Sequence, residues 1–575
     1  MTGSNAVPPP AYQSAAALEQ FLGDPDDDGT PASFAASVEA DDAGEMPVAL
    51  MAALREWEFP ALLVPEALGG RLRTFEELFA VSRVVARRDV RAAVSYGTAL
   101  LGANPVWLWG DADQRGWLAD RLRGGDLGSF AMSERDHGSD LAGCQVVARP
   151  DGSGGYLLSG EKWPIGNATR GTFATVYART GPRDFSLLLL DKAALPARRW
   201  SNTPRVPTLG LRGHDMSGIV FDECPVPGAA VLGRPGTGIA QTLKALQVTR
   251  TLIGALSLGS LDTALRIALG HGQRRVLYGA AITALPVVRD VLVRAYLDLL
   301  VGECVAVPAT RAISVAPDRL SLWSGIVKYF VPTTVEQAVA DLRTVLSARG
   351  YLRDALPARA FQKLDRDQAI AGIFEGTTHV NLGGIAAQLP FVLTRPAPGE
   401  ADDDLLTALF DRSREATPWT PDGRRLQLTN GGRDEITASW SVAVERVLAR
   451  PGAGAPLRAV LAELDTAWAR ARAHYEGASP VAAAREPQLL AFSMARTHCV
   501  LHAAACLLWT WLHDDAAGDD LLVACLERLV QRLAPERQLS PEAADAVWDA
   551  LLSQASGRQL FSLTPLPLGG PVPVP

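Results

Sequence analysis

Between Ser129 and Leu232 the hydrophobic period of this chain changes, and that change limits the folds open to it. Before and after it, apolar residues recur at three- and four-residue spacing, as in TFEELFAVSRVVARRD and LKALQVTRTLIGALSLGSLDTALRIAL. That is the helical signature. Inside the window, CQVVARP, GYLLSGEKW, FATVYART, FSLLLLDK and GIVFDECPV are short, rich in β-branched or aromatic residues and separated by turns such as DGSGG and TGPRD. Such segments read as strands. The order helices, strands, helices predicts a mainly α protein with a middle β domain, expected as a small antiparallel β-barrel.

At 575 residues the chain exceeds a single core, so several packed domains are expected. The boundaries read as a disordered start over 1–14, an N-terminal helical domain over 15–128 and the β domain over 129–235. A helical bundle follows over 236–394, then a C-terminal helical extension over 395–562 and a Pro-rich, extended tail over 563–575. RPAPGEADDD, beginning at Arg395, has linker composition.

A net charge of −8, with arginines interspersed among acids, argues against nucleic acid as a partner. The start MTGSNAVPPPAYQS lacks a basic region and apolar core, and the most apolar helix candidate is interrupted by Asp262 and Arg266. A soluble, cytoplasmic protein without membrane contact is expected. The two tryptophans of LLWTWLHDD are read as buried packing. The six cysteines are too sparse and irregular for a disulfide framework and are read as reduced core residues.

Several short motifs could carry chemistry. Glu375, in AIAGIFEGTTHVN, ends an apolar run directly before Gly376 and Thr377, where an acid is either a loop-tip charge or a tuned catalytic group. The Gly-Thr-Thr that follows also reads as a helix start, with a threonine cap. GRPGTG fits neither the GxGxxG nor the P-loop template. His498 and His502 lie four apart on a helix near Cys499 and Cys506, but sequence positions no third ligand and no metal is expected. SFAMSERDHGSD, from Ser129 to Asp140, offers hydroxyls and backbone N–H groups where helices give way to strands. Arg274 and Arg275 beside Tyr278 would suit a diphosphate next to a ring.

Together, in order and spacing, these segments resemble the acyl-CoA dehydrogenase family of flavoproteins over about residues 45–390. VPEALGG, FAMSERDHGSD, SGEKWPIGN, LRGHDMSGIVFDECPVP, VTRTLIGALSLG, RRVLYG and RDQAIAGIFEGTTHV carry the resemblance. It implies a C-terminal four-helix bundle and an FAD-dependent α,β-dehydrogenation of an acyl thioester to the trans-2-enoyl product. The position matching the base is Glu375, which takes the α-proton while the β hydrogen leaves as hydride to flavin N5. Arg250 matches an arginine that supports the base. Phe130, Met132 and Ser133, with Ile165 and Gly166, match the stretches beside the flavin, and Ser139 matches the serine that meets the pantetheine arm. Thr377 and His379 fall where the family contacts the diphosphate and adenosine side of the cofactor. Arg275 and Tyr278 match residues that reach the FAD of a neighbouring subunit, implying a homodimer or homotetramer.

The chain departs from the pattern at Pro164-Ile165-Gly166, which lacks the family's ring over the flavin and a hydroxyl near N5, at Pro286, where a glutamine is usual, and in TVLSARG, which lacks paired glycines. Thr249 leaves the alternative base position of some branches vacant. The extension resembles that of the longer members. The resemblance implies acyl-CoA or an acyl-carrier-protein thioester as substrate, and electron-transfer flavoprotein or oxygen as acceptor. An oxidase releasing hydrogen peroxide and a cofactor-poor thioester-binding or scaffolding homologue are the alternatives.

Overall fold

The computed structural model describes residues 8–353, 358–395, 400–477, 486–514 and 518–570. Six helices open the chain: α1 (Pro10–Leu22), α2 (Phe34–Ala43), α3 (Val48–Glu56), α4 (Phe75–Arg88), α5 (Val90–Trp109) and α6 (Ala112–Arg123). Their starts follow capping chemistry: the Thr74 hydroxyl accepts from Glu77 N ahead of α4, the Asp89 carboxylate from Arg91 N ahead of α5, and Asp111 with Gln114 forms a reciprocal capping box ahead of α6. Helix α1 begins at Pro10, inside the segment read as a disordered start, because Pro10 supplies a helix-ready first residue and Tyr12, Ala15 and Leu18 are buried.

The middle domain is a seven-stranded mixed sheet, whose parallel pairings correct the expected purely antiparallel arrangement. Its strands are β1 (Gly128–Ala131), β2 (Val147–Pro150), β3 (Tyr156–Gly166), β4 (Phe173–Arg179), β5 (Phe185–Asp191), β6 (Trp200–Asn202) and β7 (Met216–Val226). The path runs β1-β4-β2-β3-β7-β6, with β5 on β4, and no ladder among the described residues joins β5 to β6 to close it. Strand β1 lies parallel to β4, with Gly128 opposite Phe173, and β2 meets β4 in parallel at Arg179. Those parallel contacts were hidden in the sequence because β1 sits inside a polar motif and β2 meets β4 at a single residue pair. Helix α5 packs over β1 and β4 and the long helix Gly238–Arg274 over β5, so β4 and β5 are buried almost throughout and read as continuous apolar runs.

Helices α7 (Gly238–Arg274), α8 (Pro286–Val315) and α9 (Leu320–Leu346) then pack along one another, with α4 laid on α7. The shorter α10 (Ala358–Gln368) rests on α7, and α11 (Thr378–Ala386) rests on α9. A short α12 (Leu389–Leu393) leads into the extension, α13 (Asp403–Phe410), α14 (Glu435–Ala438), α15 (Trp440–Leu448) and α16 (Ala455–Tyr475). It ends with α17 (Gln488–Leu512), α18 (Asp519–Leu533) and α19 (Pro541–Ser556). Its apolar residues join the main core, and Trp509 and Trp511 are buried there. Helices α7 and α17 are long and apolar enough to cross a membrane by length and composition, which the charge-interruption argument missed. Inside the fold, 89% and 61% of their apolar windows are buried. The six cysteines are free and buried.

The tail corrects a second expectation. Up to Gly570 it is packed: Leu560 N donates to Leu566 O, Leu568 N to Arg558 O, and Leu566 is 1% exposed. The final residues, 571–575, lie outside the described residues, as does part of the linker, 396–399.

Candidate active site

Glu375 sits between a 3-10 turn (Ala369–Gly372) and α11, on a kink that the sequence around it enforces. Its φ is +55° and that of Gly376 is +100°. A non-glycine residue in the left-handed region costs about 1 kcal/mol or more, and such strain gathers at functional sites. Arg250, from α7, holds the kink: its Nε donates to the Glu375 carbonyl at 2.9 Å. A β-carbon at Gly376 would lie 2.8 Å from Arg250 Nη2, so only glycine leaves room for that brace. Asn381 Nδ2 donates to the carbonyls of Gly376 and Thr377 at 2.8 and 3.0 Å, tying the kink to α11.

The carboxylate itself faces a cavity between α4, α5 and α7. Phe59, Leu63, Leu78, Leu100, Leu252, Leu256 and Phe374 make most of its wall, with Ser82, Tyr96, Thr249 and Glu375 as its polar groups. Glu375 Oε2 accepts a hydrogen bond from Thr249 Oγ1 at 2.5 Å. Burial pushes the Glu375 carboxyl above the ordinary glutamate range, opposed by the Thr249 hydrogen bond and by the charges of Lys328 and Arg250. Lys328, on α9, is 1% exposed and donates to Ala371 O at 2.6 Å. Its ammonium is pushed down to about 8 by burial, against the attraction of Glu375. The site therefore sets a carboxylate and a nearby ammonium beside an apolar chamber, with a hydroxyl on the carboxylate.

Sequence reasoning gave Thr249 no role except a missing acid, and passed over Lys328. The signal for Lys328 was present, because it is the one charge in LSLWSGIVKYFVPTT. Replacing Thr249 by Val removes a bond to the ionised form of Glu375. The acid limb of the rate profile is expected to move to higher pH by about one unit, the worth of one hydrogen bond to a charged group. A pH–kcat/KM series on Thr249→Val checks this.

A second cluster forms where β1 meets the end of β3. Ser133 Oγ donates to Pro164 O at 3.2 Å and Trp163 N donates to Ser133 O at 2.9 Å. Asn167 Nδ2 reaches Gly128 O and Ser95 O. Phe130, Met132, Ser133, Ile165 and Gly166 are thereby gathered, with Phe130 and Ile165 buried. The loop after Met132 is pinned from below by Lys162, which donates to Met132 O and Glu134. Glu134 is held down to about 2 by that partner and two backbone N–H groups, in spite of its burial. A β-carbon on Gly166 would meet Thr98 Oγ1 and His214 Nε2, each at 3.2 Å. His214 Nε2 is buried with no hydrogen-bond partner among the described residues, and burial lowers its ring to about 4. A bare backbone wall, a hydroxyl and an orphan imidazole nitrogen fit a flat ring with polar edge atoms, and neither Thr98 nor His214 was singled out by sequence.

The remaining candidates lie apart. Ser139 is exposed on the loop after β1. Thr377 caps α11, accepting from Val380 N, so the cap reading of that threonine holds structurally. His379 is exposed, and its ring lies 6.2 Å from that of Phe492 of the extension. Arg275 and Tyr278 stand on a small hairpin (Val276–Leu277 with Ala280–Ala281) beyond α7, where Tyr278 is 95% exposed. Pro286 is the first residue of α8, a position proline favours.

Three consecutive matches fix what this arrangement belongs to. Residues 32–125 match the N-terminal domain of acyl-CoA dehydrogenases, 129–224 the middle domain and 236–389 the C-terminal domain. The chain belongs to the acyl-CoA dehydrogenase family. It is thereby an oxidoreductase of the class acting on CH–CH groups. The probable acyl-CoA dehydrogenase fadE25 of Mycobacterium leprae is 29% identical over 350 residues, which cover 60% of this chain and 88% of that protein. Butyryl-CoA dehydrogenase of Megasphaera elsdenii superposes with a TM-score of 0.60 at 20% identity, covering 68% of this chain and 100% of that one. An acyl-CoA dehydrogenase of Bacillus anthracis, solved with FAD, superposes with a TM-score of 0.70 at 17% identity, over 97% of this chain and 92% of that one. The last comparison extends the shared fold through α13–α19.

Proposed function

We propose that this acyl-CoA dehydrogenase-family chain removes the α-proton of an acyl thioester through Glu375 and forms the trans-2-enoyl thioester. The observation that carries the proposal is the Glu375 kink: a carboxylate with a raised pKa, aimed into an apolar chamber and braced by Arg250 and Thr249. A base for a weakly acidic carbon gains strength as burial raises its pKa toward the working pH. Lys328 keeps enough of the ionised form available, and it becomes the neighbour that feels the proton arrive on Glu375. The thioester oxygen, which gains charge as the proton leaves, is served by the Glu375 amide N–H. FAD, when bound, supplies the acceptor for the departing β hydrogen. Phe130, Met132, Ser133, Ile165 and Gly166 would hold its ring, with Thr98 and His214 behind Gly166.

A second copy of the chain is part of this reading, and a length supports it. Arg250 and Arg275 are 25 residues apart along α7 or at its end, a separation of about 37 Å at the helical rise of about 1.5 Å per residue. Arg275 and Tyr278 are therefore out of reach of the chain's own Glu375 end, and in this reading they serve the cofactor of a second copy. Sedimentation of the FAD-loaded protein at two ionic strengths tests the assembly.

The chamber measures about 50 Å³. At about 10–15 Å³ per water-sized site, it holds only a few such sites, which favours a short acyl chain. The expected result is faster turnover of a butyryl than of a palmitoyl thioester, whether offered on CoA or on a carrier protein. Peroxide release under air would assign oxygen as the acceptor.

A further inference from the structure

The histidine pair in the extension acquires a third partner that sequence did not place. His498 and His502 lie one turn apart on α17, 0% and 2% exposed, with ring centres 6.4 Å apart. Asp434, in the turn before α14, brings Oδ2 to 3.7 Å from His498 Nε2 and 3.9 Å from His502 Nδ1. One donor atom from each of the three lies within 4.8 Å of the others.

These separations are too long for hydrogen bonds. Both ring nitrogens of His498 and Nδ1 of His502 are buried without a hydrogen-bond partner among the described residues. Orphan buried polar atoms in that number need an explanation, and a bound ion is one of the recognised ones. The carboxylate is meanwhile fixed from outside: Trp323 Nε1 donates to Oδ1 at 2.8 Å and Thr437 Oγ1 to Oδ2 at 2.6 Å. Such outer hydrogen bonds orient metal ligands.

We propose that Asp434, His498 and His502 bind a divalent first-row transition metal, zinc before others. Two imidazoles and a carboxylate suit that class of ion. Metal–ligand bonds are about 2.0–2.2 Å, so an ion among three atoms at these separations completes its bonds by side-chain shifts of a few tenths of an ångström. A cavity of about 470 Å³, lined by Asp434, Trp468, Arg433 and Arg472 among others, reaches the cluster at Asp434. Because Trp323 belongs to α9, the ion would link α17 to the bundle through the Asp434 turn. It stands outside the machinery around Glu375.

The test uses the full FAD-loaded chain, stripped with a chelator and then titrated with zinc. About one zinc per chain, as for a single site, bound with a rise in melting temperature and with two imidazoles in the zinc absorption-edge spectrum, supports the assignment. The His498→Gln/His502→Gln variant, with its flavin content intact, is expected to retain less than about a tenth of that zinc, as loss of two of three protein ligands requires. No stoichiometric zinc in the wild-type chain, with no thermal shift from zinc or cobalt(II), overturns the proposal. So does undiminished zinc in a folded double variant.

Discussion

Replacing Glu375 by glutamine is expected to lower kcat on an acyl thioester by about 10²–10⁴-fold, the range that a positioned general base contributes. The amide keeps the volume and can still accept from Thr249 Oγ1, so the kink and its Arg250 brace survive. What disappears is the carboxylate as a proton acceptor. KM should change little, because the chamber wall of Leu, Ile and Phe side chains is untouched. Steady-state rates with an artificial electron acceptor check this, and flavin content certifies that the variant is loaded. A parallel loss of FAD would instead place Glu375 in the cofactor's grip.

The largest effect on stability is expected at Glu303. This carboxylate, 1% exposed on α8, accepts from Arg83 of α4 at 2.8 Å, from Arg412 of the extension at 2.9 Å and from the Ser562 hydroxyl at the extension's end at 2.7 Å. One residue thus joins the N-terminal domain, the bundle and both the start and the end of the extension. Glu303→Ala leaves two buried guanidinium groups without their shared counter-charge, and breaking a buried pair from one side costs about 3–5 kcal/mol. Urea unfolding followed by tryptophan fluorescence should show an earlier transition. Because the Glu375 cluster shares no residue with this network, flavin-loaded Glu303→Ala that remains folded should keep the pH dependence of wild type.

The order of domains was legible because period is a local property. Strands β2, β3, β4, β5 and β7 each carried β-branched or aromatic runs bounded by turns, and α7 and α17 announced themselves by spacing. Sheet pairing was not legible, since β1 reaches β4 across 41 residues between Ala131 and Phe173 and nothing in FAM or FATVYAR encodes a parallel register. Glu375 stood out as an acid at the end of an apolar run. Thr249 and Lys328 did not, because their meaning comes only when α7 and α9 bring them beside the kink. Asp434 illustrates the same limit: it is one acid in a Gly-Gly-Arg-Asp-Glu turn until the fold sets it between His498 and His502. The packed tail was misread because its Pro-rich composition suits extended backbone, while contacts that hold it, Gln20 Nε2 to Leu568 O and Gly569 N to Glu19, are long-range.

The claim that Glu375 takes a proton from the α-carbon of an acyl thioester is tested most directly by anaerobic reduction of the FAD-loaded protein with a thioester deuterated at that carbon. The account predicts that the butyryl thioester bleaches the flavin, that α-deuteration slows the bleaching, and that Glu375→Gln nearly abolishes it. Bleaching at an unchanged rate with the deuterated substrate and with Glu375→Gln, or no bleaching of the loaded wild type by any acyl thioester, would contradict it.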